Sequence, residues 1–322
     1  MNILVVPTIR ENCIKEFLSA WCYGNNWDSV IVVEDNPEKS FKLPEYCIHY
    51  SWQEIEDQLG KNSWIISKRD SAIRSFGFYA AYMAGADIIF TLDDDCYPIP
   101  PMPHEHTTSV EKFIHSHIEA FTANRKWTEL VPKNRSRGIP YRNKGQLEVD
   151  LNVGLWEGVP DLDAIQSLSN QRFSLQNAAD YRIIPNGQYF PMCGMNMAFK
   201  RKMTPLMYFP LMGKDSPYSR FDDIWCGVIM KKVADHLRIN VSCGNPRINH
   251  RKASDPFVNL VKEAPGVVAN ETFWEAIDKI DLQAYNPVHC MKQIGLELQK
   301  ESDTYIQRCG EAIGIWASLF ES

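Results

Sequence analysis

No stretch of this chain is apolar for long enough to cross a bilayer: the longest uncharged apolar run, Phe76 to Ala86, falls well short of the roughly 20 residues needed. The opening Met1-Asn2-Ile3-Leu4-Val5-Val6-Pro7 is too short for a secretory signal and lacks a basic leader, so a soluble, cytoplasmic protein with no membrane span is expected. Positive charge is not in excess, since 34 Lys+Arg stand against 40 Asp+Glu for a formal charge of −6. Such a chain has no basic field to release counterions from a polyanion, which argues against nucleic acid as its main partner. A small phosphorylated ligand stays open, because a few placed cations and a metal hold one against a mildly acidic background. The nine cysteines are odd in number, scattered and never spaced Cys-x-x-Cys, which argues against a disulfide framework or a zinc knuckle and for a reducing compartment. Neither a Gly-x-Gly-x-x-Gly nor a Walker loop occurs, and there is no internal repeat or low-complexity linker.

What is present is 322 residues, 44% of them hydrophobic, enough to build the core of one large domain or two ordinary ones. The first hundred residues alternate strand and helix signals. Ile3–Val6 and Val30–Val33 are β-branched runs stopped by Pro7 and by Asp35-Asn36-Pro37. Ser51-Trp52-Gln53-Glu54 is a capping box opening a helix to about Leu59, Ser63–Ile66 reads as a strand, and Asp70–Ala84 has helical spacing. Ile88–Leu92 reads as a buried strand ending in Asp93-Asp94-Asp95, and a further helix is expected over Thr108–Phe121. Residues 186–225, dense in Gly, Pro, Met and aromatics, suggest buried loops around a site. The pattern is helical again after about residue 265, which implies a catalytic domain over 1–265 and a helical C-terminal appendage over 266–322 packed on it. Strands separated by helices predict a doubly wound, mostly parallel α/β sheet with helices on both faces, which binds ligands at the carboxyl ends of its strands.

The acidic triplet sits at such an end. In an extended segment Asp93 and Asp95 point to one side and Asp94 to the other. Two convergent carboxylates repel unless a cation intervenes, and hard oxygen ligands suit Mg²⁺ or Mn²⁺, whose natural company is a diphosphate. The plainer alternative is a helix N-cap or an acidic turn. Asp222 and Asp223 precede an apolar helical run, so one of them caps that helix while the other is free to contact a ligand. His104, His106, His115 and His117 form two His-x-His pairs; residues two apart lie on different helix faces, so these read as surface or lid residues and not as zinc ligands.

Phe90-Thr91-Leu92-Asp93-Asp94-Asp95-Cys96 resembles the Asp-x-Asp segment of GT-A nucleotide-sugar enzymes. Pro7-Thr8-Ile9-Arg10, Ser67-Lys68-Arg69-Asp70-Ser71-Ala72, Phe190-Pro191-Met192-Cys193-Gly194-Met195-Asn196, Arg220-Phe221-Asp222-Asp223-Ile224-Trp225 and the block from His250 to Leu260 are similar to the reversibly glycosylated polypeptides, also called UDP-arabinopyranose mutases. The resemblance implies a GT-A fold, a UDP-sugar substrate, a divalent cation and flavin-free interconversion of the pyranose and furanose forms of UDP-arabinose. It places Asp93, Asp95 and His250 at the metal, and Asp35, Asp93, Asp94, Pro7, Thr8, Arg10, Gly194 and Asn196 along the nucleotide. Lys68 and Lys252 become candidates for phosphate oxygens. It also places Asp222 or Asp223 at the sugar. Arg137, in Arg137-Gly138-Ile139-Pro140, resembles the arginine that the family glycosylates; as a guanidinium, protonated at neutral pH, it serves equally as a clamp on the diphosphate. Two other readings share this site: a UDP-sugar-dependent glycosyltransferase acting on a protein or glycan, and a non-catalytic partner subunit in a homo- or hetero-oligomer.

Overall fold

The computed structural model describes residues 1–22, 24, 26–100, 107–126, 142, 145–169, 181–251 and 255–321. The chain runs β1 (Asn2–Thr8), α1 (Glu11–Trp21), β2 (Ser29–Glu34), β3 (Cys47–Tyr50), α2 (Trp52–Leu59), α3 (Arg74–Met83), β4 (Ile88–Leu92), β5 (Cys96–Tyr97), α4 (Ser109–Ala123), β6 (Leu151–Gly158), α5 (Ala164–Leu168), β7 (Tyr181–Ile183), β8 (Asn196–Lys200), α6 (Asp222–His236), β9 (Val241–His250), α7 (Pro256–Asp278), α8 (Pro287–Leu298) and α9 (Thr304–Ser318). Local chemistry accounts for the clearest boundaries. Ser51 donates its backbone N–H to Glu54 at 2.8 Å to open α2, and Thr108 and Glu111 form the same reciprocal cap at the start of α4.

The strands form one mixed sheet in the order β3-β2-β1-β4-β8-β6-β9-β5, with β7 also on β9. β3, β2, β1 and β4 are mutually parallel, β8 runs against β4 and β6, and β6 is parallel to β9. The sheet is therefore mixed on its β8 side, where a purely parallel continuation was not required by any local signal. Its burial is two-sided, as a βα-wound sheet demands. On β1, Ile3 and Val5 enter a core shared with α3, α6 and the C-terminal helices, while Leu4 and Val6 enter a second core under α1 and α4.

Ser63–Ile66 is not a strand. Residues Gly60–Ile65 form a 3-10 helix after α2, and the place beside β2 is taken by β3. Its two isoleucines are buried as core plugs, a burial that a short apolar run satisfies in either conformation. α7 begins at Pro256, with Asp255 accepting from Phe257 N at 2.8 Å, and runs unbroken past residue 265. α8 and α9 contribute Met291, Ile294, Ile313 and Trp316 to the same core as α3 and α6. Among the described residues no helix is long and apolar enough to cross a membrane.

α3 lies close on the sheet because Gly77 has no side chain: a Cβ there would stand 2.4 Å from Val5 Cγ1 and 3.0 Å from Val33 Cγ2. Gly77→Ala is expected to destabilise the protein by about 1–3 kcal/mol through overpacking, measured as a lowered urea midpoint at unchanged slope.

Candidate active site

The carboxyl ends of β1, β2 and β4 supply Thr8, Asp35 and Asp93–Asp95 to one rim. β4 stops at Leu92, and Asp93–Asp95 form a tight turn closed by Cys96 N donating to Asp93 O at 3.1 Å. The alternation expected of an extended segment therefore does not apply, and the three carboxylates part company. Asp94 is 3% exposed; it accepts from Thr8 Oγ1 at 2.6 Å and pairs with Arg10 through both oxygens. Burial pushes the Asp94 carboxyl up, opposed by the Arg10 guanidinium beside it. Asp94 is thus the anchor that ties β1 to β4. Asp95 accepts from Arg10 Nη2 at 3.2 Å, and Asp93 pairs with Arg74. Burial raises the Asp93 carboxyl, but Arg74 outweighs it and holds the group below its ordinary range.

His250 ends β9 opposite Cys96 and brings its ring to the same turn. Its Nδ1 lies 2.8 Å from the Val159 carbonyl oxygen, an acceptor, so in the neutral ring Nδ1 carries the hydrogen and Nε2 presents its lone pair. That lone pair faces Asp95 Oδ1 at 3.8 Å. Two acceptors in this arrangement call for a shared proton or a cation between them. Among the described residues no three His, Cys, Asp or Glu side chains converge as a ligand set, so Asp95 and His250 form a two-donor pair.

At the β2 end, Asp35 is 5% exposed and accepts at Oδ1 from Trp52 Nε1 at 2.7 Å and Arg69 N at 3.0 Å. Burial raises its carboxyl. Lys68 sits over the Trp52 ring and pairs with Glu56 at 2.6 Å, so it bridges to α2. Pro7 lies within β1, paired with Val33, so it shapes the rim through the backbone. Gly194 links two charged groups: its carbonyl accepts from Arg74 Nη1 at 2.5 Å and its N–H donates to Asp223 Oδ2 at 2.8 Å.

Asn196, expected along the nucleotide, is 1% exposed and engaged inside the sheet. Its Nδ2 donates to Leu155 O and Pro246 O at 2.9 and 3.0 Å, and its Oδ1 accepts from His117 Nε2 at 3.1 Å. The reason is register: Asn196 pairs with Leu92, one residue before the acidic turn, at a position sealed by β6 and β9. His117 is likewise no lid residue. It is fully buried, burial drives its imidazole down to about 3, and it accepts at Nδ1 from Asn152 Nδ2 at 3.0 Å, while His115 is exposed as expected. Arg137, Lys252, His104 and His106 lie outside the described residues.

The sugar-end candidates stand at the first turn of α6. Asp222 is 2% exposed and accepts from Ser71 Oγ at 2.8 Å; Asp223 is partly exposed and accepts from Gly194 N and Ile224 N. Burial raises both carboxyls, with the charge of Asp222 adding to the rise at Asp223. Sequence reading missed two further members. Asp70 accepts from Ala72 N, Ser219 Oγ and Arg220 N, and Arg74 closes the pair with Asp93. A signal for Arg74 existed: an arginine just beyond the Ser67–Ala72 block, on a helix otherwise apolar at Ile73, Phe76 and Gly77. The segments carrying Asp70 and Asp222 are each bent by a left-handed arginine, Arg69 at φ 60° and Arg220 at φ 68°, a conformation costing about 1–3 kcal/mol apiece and typical of functional sites. Arg69 is held there by Asp35, and Arg220 by Glu263, which accepts from its Nε at 2.7 Å.

Burial, then the charge of Asp222, push the Asp70 carboxyl from 3.8 up to about 8. The folded protein keeps a proton here that the unfolded chain releases. This contribution to stability is complete below the unfolded value of 3.8 and is lost as pH rises towards about 8. Asp70→Asn cannot ionise, so its thermal midpoint is expected to fall less between pH 5 and pH 8.5 than that of the native protein; equal slopes in a pH series of melts would refute the assignment.

The profile of the family described as reversibly glycosylated polypeptide matches residues 2–322. A probable UDP-arabinopyranose mutase 1 of Solanum tuberosum is 34% identical, covering 99% of this chain and 89% of that protein. UDP-arabinopyranose mutase 1 of Arabidopsis thaliana is 32% identical, over 99% of this chain and 91% of that one. A solved mycobacterial protein superposes with a TM-score of 0.47 at 15% identity, covering 85% of this chain and 74% of that chain. With a match along essentially its whole length, and the acidic turn, His250 and the Asp222–Asp223 pair at one rim, the chain belongs to the reversibly glycosylated polypeptide family.

Proposed function

We propose that this protein is a UDP-sugar mutase interconverting UDP-L-arabinopyranose and UDP-L-arabinofuranose, a flavin-independent isomerase. The observation that carries this reading is the full-length similarity to UDP-arabinopyranose mutases at 32% and 34% identity. The β3-β2-β1-β4 order followed by an antiparallel strand supports reading the sheet as a GT-A arrangement. Nine unpaired thiols support a cytoplasmic location.

A divalent cation, Mg²⁺ or Mn²⁺, fits the donor chemistry of the rim. Mg²⁺ in particular is commonly held by one or two carboxylates with the remaining positions left to substrate phosphates and water. Asp95 and His250 would hold it, the Val159 carbonyl orienting the imidazole, while Asp93, expected beside them, is paired with Arg74. Bound there, the ion would neutralise charge that collects on the diphosphate when its bond to the anomeric carbon breaks.

The rest is positioning by this chain. Asp35, Trp52 and Arg69 form the end of the site proposed for the nucleoside, and Lys68 lies next to it. Exchange of ring size moves one proton from O4 to O5 of the sugar as the C1–O4 bond forms and the C1–O5 bond breaks. Groups with raised pKa suit that transfer, and Asp223 is assigned to the sugar because it is partly exposed while Asp222 is sealed behind Ser71. Return of the diphosphate oxygen to C1 completes the isomerisation, which requires both fragments to stay in place. Arg137 is proposed, on the resemblance alone, as a glycosylated residue or a diphosphate clamp.

The test is incubation of purified protein with UDP-arabinopyranose or UDP-galactopyranose and Mn²⁺, followed by chromatographic separation of ring forms. UDP-arabinofuranose is expected; sugar transferred to an acceptor other than UDP or the protein's own Arg137, or no furanose at all, would overturn the reading.

A further inference from the structure

Arg74 opens α3 and is 1% exposed. A guanidinium so enclosed is costly unless its donors are matched. Its Nε donates to Ser71 O at 3.2 Å, its Nη1 to Thr91 Oγ1 at 3.3 Å and Gly194 O at 2.5 Å, its Nη2 pairs with Asp93, and its plane lies over the Phe209 ring. Every limb of the fork is thus engaged by protein. The backbone of Gly194 carries the connection onward: its N–H, on the peptide unit before the one whose carbonyl faces Arg74, donates to Asp223 Oδ2 at 2.8 Å. A Cβ on Gly194 would stand 3.1 Å from Phe209 and 3.3 Å from Arg74 Nη1, so this peptide approaches the guanidinium because it has no side chain. The chain Asp93–Arg74–Gly194–Asp223 joins the turn after β4, the start of α3, the segment before β8 and the first turn of α6.

We infer that Arg74 is a positioning residue that locks the diphosphate end of the site, at Asp93, to its sugar end, at Asp223, through the backbone of Gly194. The inference rests on the assignment of those two ends in the proposed mutase. A planar fork fixes two acceptors relative to each other, which a single ammonium on a flexible stem does not. Because both Gly194 bonds are made by one residue's backbone, a shift at either end moves the other, so the contributions of Asp93 and Asp223 are not independent. The lock keeps the departing diphosphate and the rearranging sugar in one frame.

The experiment is a cycle of Asp93→Asn, Asp223→Asn and the double variant, made in the native and in the Arg74→Lys background. The readouts are Kd for UDP-arabinopyranose by calorimetry, kcat and KM for furanose formation, and the thermal midpoint. With Arg74 in place, the double variant's loss in kcat/KM and in affinity is expected to be about tenfold smaller than the product of the single losses; in the Arg74→Lys background the losses multiply to within about twofold. An arginine that only supports the fold would lower the midpoint and leave the coupling the same in both backgrounds, which would overturn the inference. Independent losses in the native background would overturn it as well. Gly194→Ala retains the buried charge while pushing the peptide from it, and it covers the case in which Arg74→Lys does not fold; coupling that persists in Gly194→Ala would remove the link. If the native protein binds UDP-arabinopyranose without forming furanose, the mutase reading fails while the affinity cycle still decides the role of Arg74.

Discussion

Asp95→Ala is expected to lower UDP-arabinopyranose turnover by about a hundredfold or more, equivalent to roughly 3 kcal/mol of transition-state stabilisation, in a protein that still folds. The side chain has little structural work. Its Oδ2 accepts one bond from Arg10 at 3.2 Å, and its Oδ1 faces the His250 lone pair at 3.8 Å. The contact that holds the turn against β9 is a backbone one, Arg251 N donating to Asp95 O at 3.0 Å, and alanine keeps it. Asp94 is the contrast. With Thr8 and Arg10 bonded to its buried carboxylate, its loss leaves a half-buried cation without its main partner and acts on the fold. Steady-state kinetics with a thermal melt on each variant separates the two neighbours: Asp95→Ala with a native midpoint and low turnover, Asp94→Ala with a depressed midpoint. Unchanged turnover in Asp95→Ala would remove that residue from the site.

Trp316→Ala is expected to cost about 3–5 kcal/mol and to leave a single cooperative unfolding transition. Trp316 on α9 is fully buried, donates from Nε1 to Pro205 O at 2.9 Å, and packs against Tyr208, Phe320 and Tyr79 with ring centroids 5.4, 5.0 and 6.5 Å away. Pro205 lies in the turn that follows β8, and Tyr79 lies on α3, so the C-terminal helices are bonded to the layer that covers the sheet. Tyr305 repeats the connection by donating to Leu211 O at 2.6 Å. An appendage that folded by itself would melt separately, and the substitution would then shift only one of two transitions. Urea unfolding followed in parallel by far-ultraviolet circular dichroism and tryptophan fluorescence tells these outcomes apart.

The division between what could be read from residues and what required the fold follows the range of the forces involved. β1, β2 and β4 were legible because a β-branched run closed by a turn former is a local pattern, and the Ser51–Glu54 cap because both partners lie three residues apart. The acidic turn was legible as charge at the end of a buried strand. The direction of each carboxylate was not, because Thr8 reaches Asp94 across 86 positions and Arg74 reaches Gly194 across 120. Ser63–Ile66 failed as a strand for a related reason: its apolar content required burial, and the 3-10 helix after α2 buries Ile65 and Ile66 without a strand. Asn196 was expected along the nucleotide and His117 at the surface or in a lid, yet a buried polar group takes whatever partner the packing offers, and here each takes the other. By itself, the order of residues determined the α/β alternation, the acidic rim and the family. Tertiary structure decided which carboxylates stay available and which are held by Arg10 and Arg74, because charge pairing inside a protein depends on distances that only the closed fold sets.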